Sequence, residues 1–162
     1  MTDKEEITCF ETLIHIKYVA DVLNTVIFEL MHRAIYHDAS KLEEPELPVF
    51  VEYTPKLAGL SYGSEEYKQA LSEMKPALEH HYAENRHHPE HFQEEADATF
   101  KSSPISCMTL IDLVEMLCDW KAATLRHDDG DIQKSIEINK ERFGLSEQLV
   151  SILKNTVEMW KE

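Results

Sequence analysis

Glycine is scarce in this chain, with 4 in 162 residues, and proline adds only 6. Little material is left for the tight turns and bulges that sheets require, and no segment alternates polar and apolar residues with period two. A β architecture is thereby excluded. Cysteine is equally sparse. Cys9, Cys107 and Cys118 cannot form a disulfide framework, and Cys118, on an apolar helix, reads as a buried thiol. The first six residues are acidic and hold no apolar signal region, so a reducing cytoplasmic location is expected, that of a host cell if the chain is phage-encoded. No apolar run is long enough to span a bilayer. Basic residues are the last shortage: 16 Lys and Arg stand against 31 Asp and Glu, a formal charge of −15. Affinity for nucleic-acid polymers and for anionic membranes comes from clustered cations, so neither is expected as a partner. Small anionic substrates stay open if a bound metal supplies local positive charge.

What is present is apolar content of 43% with 9% aromatics, enough for one globular domain with its own core. Thr2 and Glu5 form a capping box. Ile7, Phe10, Ile14, Tyr18, Val22 and Val26 then recur at three- and four-residue spacing, one apolar face of a helix. Asn24-Thr25 is the only internal break on offer, with Asn24 capping a second helix to about His37. Residues 42–63 carry Pro45, Pro48 and Pro55 and read as a connection with one short helix near 47–53. Ser64 caps a helix through Tyr67, Leu71 and Met74, and Pro76 restarts it as far as about Asn85. Residues 86–101 read as a loop. Ser103-Pro104 opens a strong helix from 105 to about 126, and residues 127–131 form a turn. A helix over 132–143 ends at Gly144, and Ser146 caps the last one, which carries Leu149, Ile152, Leu153, Val157 and Trp160. The expected fold is an all-α, single-domain bundle of six or seven helices.

Chemistry-bearing residues fall in three clusters. His37-Asp38 offers an imidazole and a carboxylate from adjacent positions, a donor pair suited to a divalent metal. Five of the 9 histidines lie between His80 and His91. A polar helix end explains one or two of these histidines, and metal or substrate binding explains five. His81, Asn85 and His88 fall near one helical face, but His80 or His81, and His87 or His88, are alternatives as ligands. The third cluster, Asp112, Glu115 and Asp119, forms one stripe of a strongly apolar helix. It is either a solvent face, the reading favoured for Asp112, or a row of carboxylates that needs a cation. His15 is a further candidate ligand. In one straight helix it lies roughly 33 Å from His37, so it contributes only if the chain turns back near Asn24. His32 and His127 read as surface residues.

In order, His15, His37-Asp38, histidines near 81 and 88, and Asp119 resemble the H…HD…H…H…D pattern of the HD-domain metal-dependent phosphohydrolases. His37-Asp38-Ala39-Ser40-Lys41 is similar to that family's HD-x-G-K form, with Ser40 in place of Gly. The chain also resembles, over nearly its full length, a family of small phage and bacterial proteins carrying HDxSK, YGSxEY (Tyr62 to Tyr67), HHYxxNRHHPEH and EMLCDW. The HD resemblance implies an HD-like helical domain and a phosphohydrolase acting on a nucleotide or other small phosphate ester. It implies one or two divalent ions (Mn, Fe, Co, Ni, Zn or Mg) held by His37, Asp38, His81, His88, Asp119 and His15. Lys41 would reach a phosphate oxygen, Asn85 and Arg86 would face substrate, and Glu115 or Glu90 would act as general base. A GYP element is absent, so a cyclic dinucleotide is not the expected substrate. Two other readings stand beside this one: a di-iron oxygenase on the same fold, and a non-catalytic acidic interaction or inhibitor protein. Self-association is left open.

Overall fold

A computed structural model describes residues 2–60, 64–126 and 130–160. Among these residues there are eight α-helices, three short 3₁₀ turns and no strand, so the all-α expectation holds with more helices than the six or seven expected. The chain divides into two compact units, residues 1–36 and 37–162.

The first unit is one helix, α1 (Asp3–Tyr36). The Thr2–Glu5 capping box is formed, with Thr2 N–H donating to Glu5 at 2.6 Å. The break expected at Asn24 does not occur. Residues 3–36 contain neither Gly nor Pro, and one Asn in a helix interior costs well under about 1 kcal/mol relative to Ala. Thr25 instead donates its hydroxyl to Asp21 O at 3.2 Å, the usual way a helix accommodates this residue. The helix also carries more than the one apolar face expected. Leu13, Ile16, Leu23, Ile27 and Met31 form a second stripe opposite Ile7, Phe10, Val22 and Val26,.

The second unit begins at His37. After a 3₁₀ turn over Ala39–Leu42 come α2 (Glu46–Ala58), α3 (Glu65–Glu73) and α4 (Lys75–Glu84). Helix α2 is longer than the short helix expected and keeps Pro55 inside it. The predicted break between α3 and α4 occurs at Met74, with Pro76 in the first turn of α4, and Ser64 caps α3 by accepting from Tyr67 N–H at 3.1 Å. The stretch expected to be loop holds a 3₁₀ turn (Pro89–Phe92) and α5 (Gln93–Ala98). Ser103-Pro104 opens only one 3₁₀ turn (Pro104–Cys107), and α6 (Leu110–Thr124) starts later, at a capping box between Thr109 and Asp112. A full capping box satisfies two orphan N–H groups and so overrides the weaker Ser-Pro signal. Helix α7 (Ile132–Phe143) ends at Gly144, whose φ of 66° is the left-handed C-cap expected there,. Helix α8 is Glu147–Glu158. The expected turn at 127–131, and His127 in it, lie largely outside the described residues.

The main core joins α6, α7 and α8 through Leu117, Ile132, Ile136, Leu145, Val150, Leu153 and Val157. Helix α4 packs on α2 and on the Pro89–Phe92 turn, with Met74, Ala77 and Phe92 buried there. Helix α6 serves both regions. Leu117 faces α7 and α8, while Asp112, Glu115 and Met116 are buried on its other sides. Cys118, expected to be buried, is exposed.

Candidate metal centre

The chain enters the site through Asp38. Its φ of 56° is the left-handed region, unusual for any residue but glycine and best tolerated by Asp and Asn. Such strain survives only where surrounding interactions fix it. The Asp38 carboxylate is central to these interactions. Its Oδ1 lies 3.2 Å from His81 Nε2 and 3.4 Å from His87 Nε2. His81 Nε2 is also 2.9 Å from His88 Nε2. His81 and His87 are almost fully buried, at 1% and 2% exposure. Asp38 Oδ1 and His87 Nε2 are buried atoms without a hydrogen bond, a costly state in a protein interior.

These separations have a simple geometric meaning. Two ligand atoms each about 2.0–2.1 Å from a shared ion, at tetrahedral to octahedral angles, stand roughly 2.9–3.4 Å apart. The separations from Asp38 Oδ1 to His81 Nε2 and His87 Nε2, and from His81 Nε2 to His88 Nε2, meet that spacing, and one ligand atom from each of Asp38, His81, His87 and His88 lies within 4.8 Å of the others. A second, looser group sits on the other carboxylate oxygen. His37 Nε2 is 3.6 Å from Asp38 Oδ2 and 3.7 Å from Asp119 Oδ1.

Each buried histidine is aimed by a carboxylate on its far side. Glu46, fully buried at the start of α2, accepts from His80 Nδ1 at 2.8 Å and from His81 Nδ1 at 2.9 Å. Glu115 Oε1 lies 3.0 Å from His37 Nδ1 and 3.2 Å from His87 Nδ1. A carboxylate at Nδ1 draws the ring proton to that nitrogen and leaves the Nε2 lone pair for a cation. Ser40 and Asn85 complete the support. Asn85 donates to Ser40 Oγ and to His81 O, both at 2.8 Å.

The carboxylates and imidazoles shift one another's proton affinities strongly. Asp119 and Glu115 raise His37 to about 10, against burial. Burial alone would raise Asp38, but His81, His87 and Lys41 together hold it far below the usual carboxylate range. For Asp119 likewise, burial would raise it, but His37 and His87 together lower it. His88 is pushed down to about 3, first by burial and then by His87 and His81, so it keeps a free lone pair at neutral pH. The stability of the metal-free chain depends on pH accordingly. The lowered His88 contributes stability that is full above its ordinary value of 6.5 and is lost as pH falls towards about 3,. The raised His37 contributes stability that is full below 6.5 and is lost as pH rises towards about 10,. Melting temperatures in chelator should therefore peak near neutrality and fall on both sides between about pH 4 and about pH 9. A profile flat across that window would contradict these assignments.

A model of the family DUF5662, a family of unknown function, matches residues 4–159. The chain belongs to this family. No curated protein and no solved structure matches it. The centre in this DUF5662 chain brings together five of the six residues predicted as ligands: His37, Asp38, His81, His88 and Asp119. The sixth, His15, required a turn near Asn24, and α1 has none. Between the paired alternatives, His81 takes part and His80 only shares Glu46 with it. At the other pair both histidines take part, and His87 is the more buried.

The other candidate residues have partners within the protein. Arg86, expected on substrate, donates to Asp112 at 3.0 and 3.2 Å and stacks on Phe92. Asp112 is fully buried and not the solvent face expected of it, because it combines this ion pair with the cap of α6. Arg86→Ala would strand a buried carboxylate, at a cost of roughly 3 kcal/mol; chemical denaturation should show that loss, and no loss would refute the assignment. Asn85, also expected on substrate, is committed to Ser40 and the His81 carbonyl. Glu115 orients His37 and His87, which occupies the carboxylate expected as a base. Glu90 pairs with Arg142 at 2.7 Å and belongs to none of the converging groups. Glu46 escaped sequence reading. It stands between Pro45 and Pro48 in a stretch with no periodic signal, and nothing local distinguishes it from the other glutamates.

Proposed function

We propose that this protein is a metal-dependent phosphohydrolase with an HD-like site, acting on a nucleotide or another small phosphate ester. The observation that carries the reading is the convergence of two buried, hydrogen-bond-free atoms, Asp38 Oδ1 and His87 Nε2, with the Nε2 atoms of His81 and His88. Nitrogen and oxygen donors of this kind fit Mn, Fe, Co, Ni or Zn better than Mg, which prefers oxygen. Asp38, His81, His87 and His88 would hold one ion, and His37, Asp38 and Asp119 a second. A bound divalent ion supplies a water of lowered pKa and offsets charge on the phosphoryl oxygens.

The chain's own residues do the rest. Glu46 and Glu115 hold the Nδ1 protons and keep the imidazoles aimed. Lys41, one-third exposed at the edge of the centre with its ammonium 5.2 Å from the Phe50 ring centroid, is the cation in reach of a substrate phosphate. Carboxylates surround the histidines, so an anionic substrate depends on the bound ion and Lys41 for affinity, which favours small esters over polymers.

The test is elemental analysis of the purified protein, followed by phosphate release from a nucleotide panel with added Mn²⁺, Co²⁺, Ni²⁺ or Mg²⁺. Bound metal with turnover supports the proposal. A protein that stays metal-free and inactive overturns it, and bound iron with oxygen uptake but no phosphate release transfers the site to oxygenase chemistry.

A further inference from the structure

The two oxygens of Asp38 are not equivalent. Oδ1 is buried, makes no hydrogen bond and faces His81 and His87. Oδ2 accepts from Lys41 Nζ at 2.5 Å and stands 3.6 Å from His37 Nε2. Lys41 is tied to this place by its backbone as well. Its N–H donates to Asp38 O at 3.0 Å within the same 3₁₀ turn, and its ammonium lies over the Phe50 ring at 5.2 Å. The oxygen shared with the His37–Asp119 group is therefore held by a lysine ammonium, whereas the oxygen on the histidine side faces imidazoles, which give up a proton to a metal ion far more readily than an ammonium does.

We propose that Lys41 is an internal counter-cation that regulates how many metal ions the centre holds. This rests on the metal-binding reading above. The first ion enters on the Oδ1 side, where it displaces imidazole protons but no ammonium group,. A second ion at His37, Asp38 Oδ2 and Asp119 must push the ammonium off Oδ2, and two like charges within a few ångströms in a poorly solvated site oppose each other strongly. The second position fills only when an anion takes up the displaced ammonium. A phosphate group at the site does this, so phosphate and the second ion favour each other's binding.

The experiment is a Mn²⁺ titration of the metal-stripped full chain, followed by the electron paramagnetic resonance signal of free Mn²⁺ and checked by elemental analysis after desalting. The wild type should hold one ion tightly and a second at least about 100-fold more weakly. Inorganic phosphate should strengthen the second. Lys41→Met should take two ions of comparable affinity without phosphate, whereas Lys41→Arg, which keeps the charge, should behave as the wild type. Melting curves of both variants in chelator verify that they fold. Two equal ions in the wild type, or one tight ion in Lys41→Met as in the wild type, overturns the proposal while leaving the metal reading intact. No ion in either protein defeats both.

Discussion

Asp38→Asn should abolish stable metal binding while leaving the chain folded. Asp38 contributes one oxygen to each of two ligand groups, so a neutral amide weakens both at once. Asparagine is the informative replacement because the backbone here has a φ of 56°. Asn tolerates that region almost as well as Asp, whereas Ala would add backbone strain and confuse the result. Against burial, Asp38 and Glu115 together hold His87 above its ordinary range; the amide removes one of these two charges and leaves Lys41 without its carboxylate. Loss of one anionic ligand from a site of this kind should lower affinity by at least about 100-fold. Metal content after desalting gives the direct measure, and phosphate release should fall with it. Retention of wild-type metal content by Asp38→Asn would remove the basis for the centre.

The second large effect is expected away from the ligand atoms. Glu46→Gln should lower metal affinity about 10- to 100-fold, although Glu46 touches no ligand nitrogen that would face the ion. Glu46 is fully buried and accepts from both His80 and His81. An amide in its place has one acceptor oxygen and a donor NH₂ group, so one of the two imidazoles faces a donor. His81 then loses the tautomer that leaves Nε2 free. A positioning role predicts a specific pattern: reduced affinity with unchanged stoichiometry. A purely structural role predicts a lower melting temperature with metal affinity unchanged. Titration of the variant with Mn²⁺, beside its melting curve in chelator, separates the two.

Much of the site was legible in sequence because local chemistry marks it. His37-Asp38 announces a donor pair, and five histidines in twelve residues exceed what a helix end explains. The acidic stripe of α6 follows from helical spacing alone. What local chemistry does not mark shares one cause. The roles of Glu46, Arg86, Asp112 and Glu115 depend on which side chains meet across α2, α4 and α6, and no local pattern encodes that. Asp112 illustrates the point. Its spacing suits a solvent face as well as a buried one, and the Arg86 guanidinium, 26 positions away in sequence, makes burial affordable,.

The amino-acid sequence by itself determined the all-helical class, most helix starts and stops, and the residues able to bind a cation. These are short-range matters: caps, prolines, the lack of glycine, and periodicity are read within a turn or two of chain. It also placed the continuity of α1 within reach, since a stretch without Gly or Pro has no strong reason to break. Only the tertiary structure decided which candidates converge. It excluded a turn near Asn24, brought Asp38 together with His81, His87 and His88, and set Glu46 and Glu115 behind the imidazoles. It also paired Lys41 with one oxygen of Asp38 and set the other against the imidazoles of His81 and His87. Ligand spacing of a few tenths of an ångström is a property of packed helices, and hydrogen-bond partners at long sequence separation arise only once those helices have met.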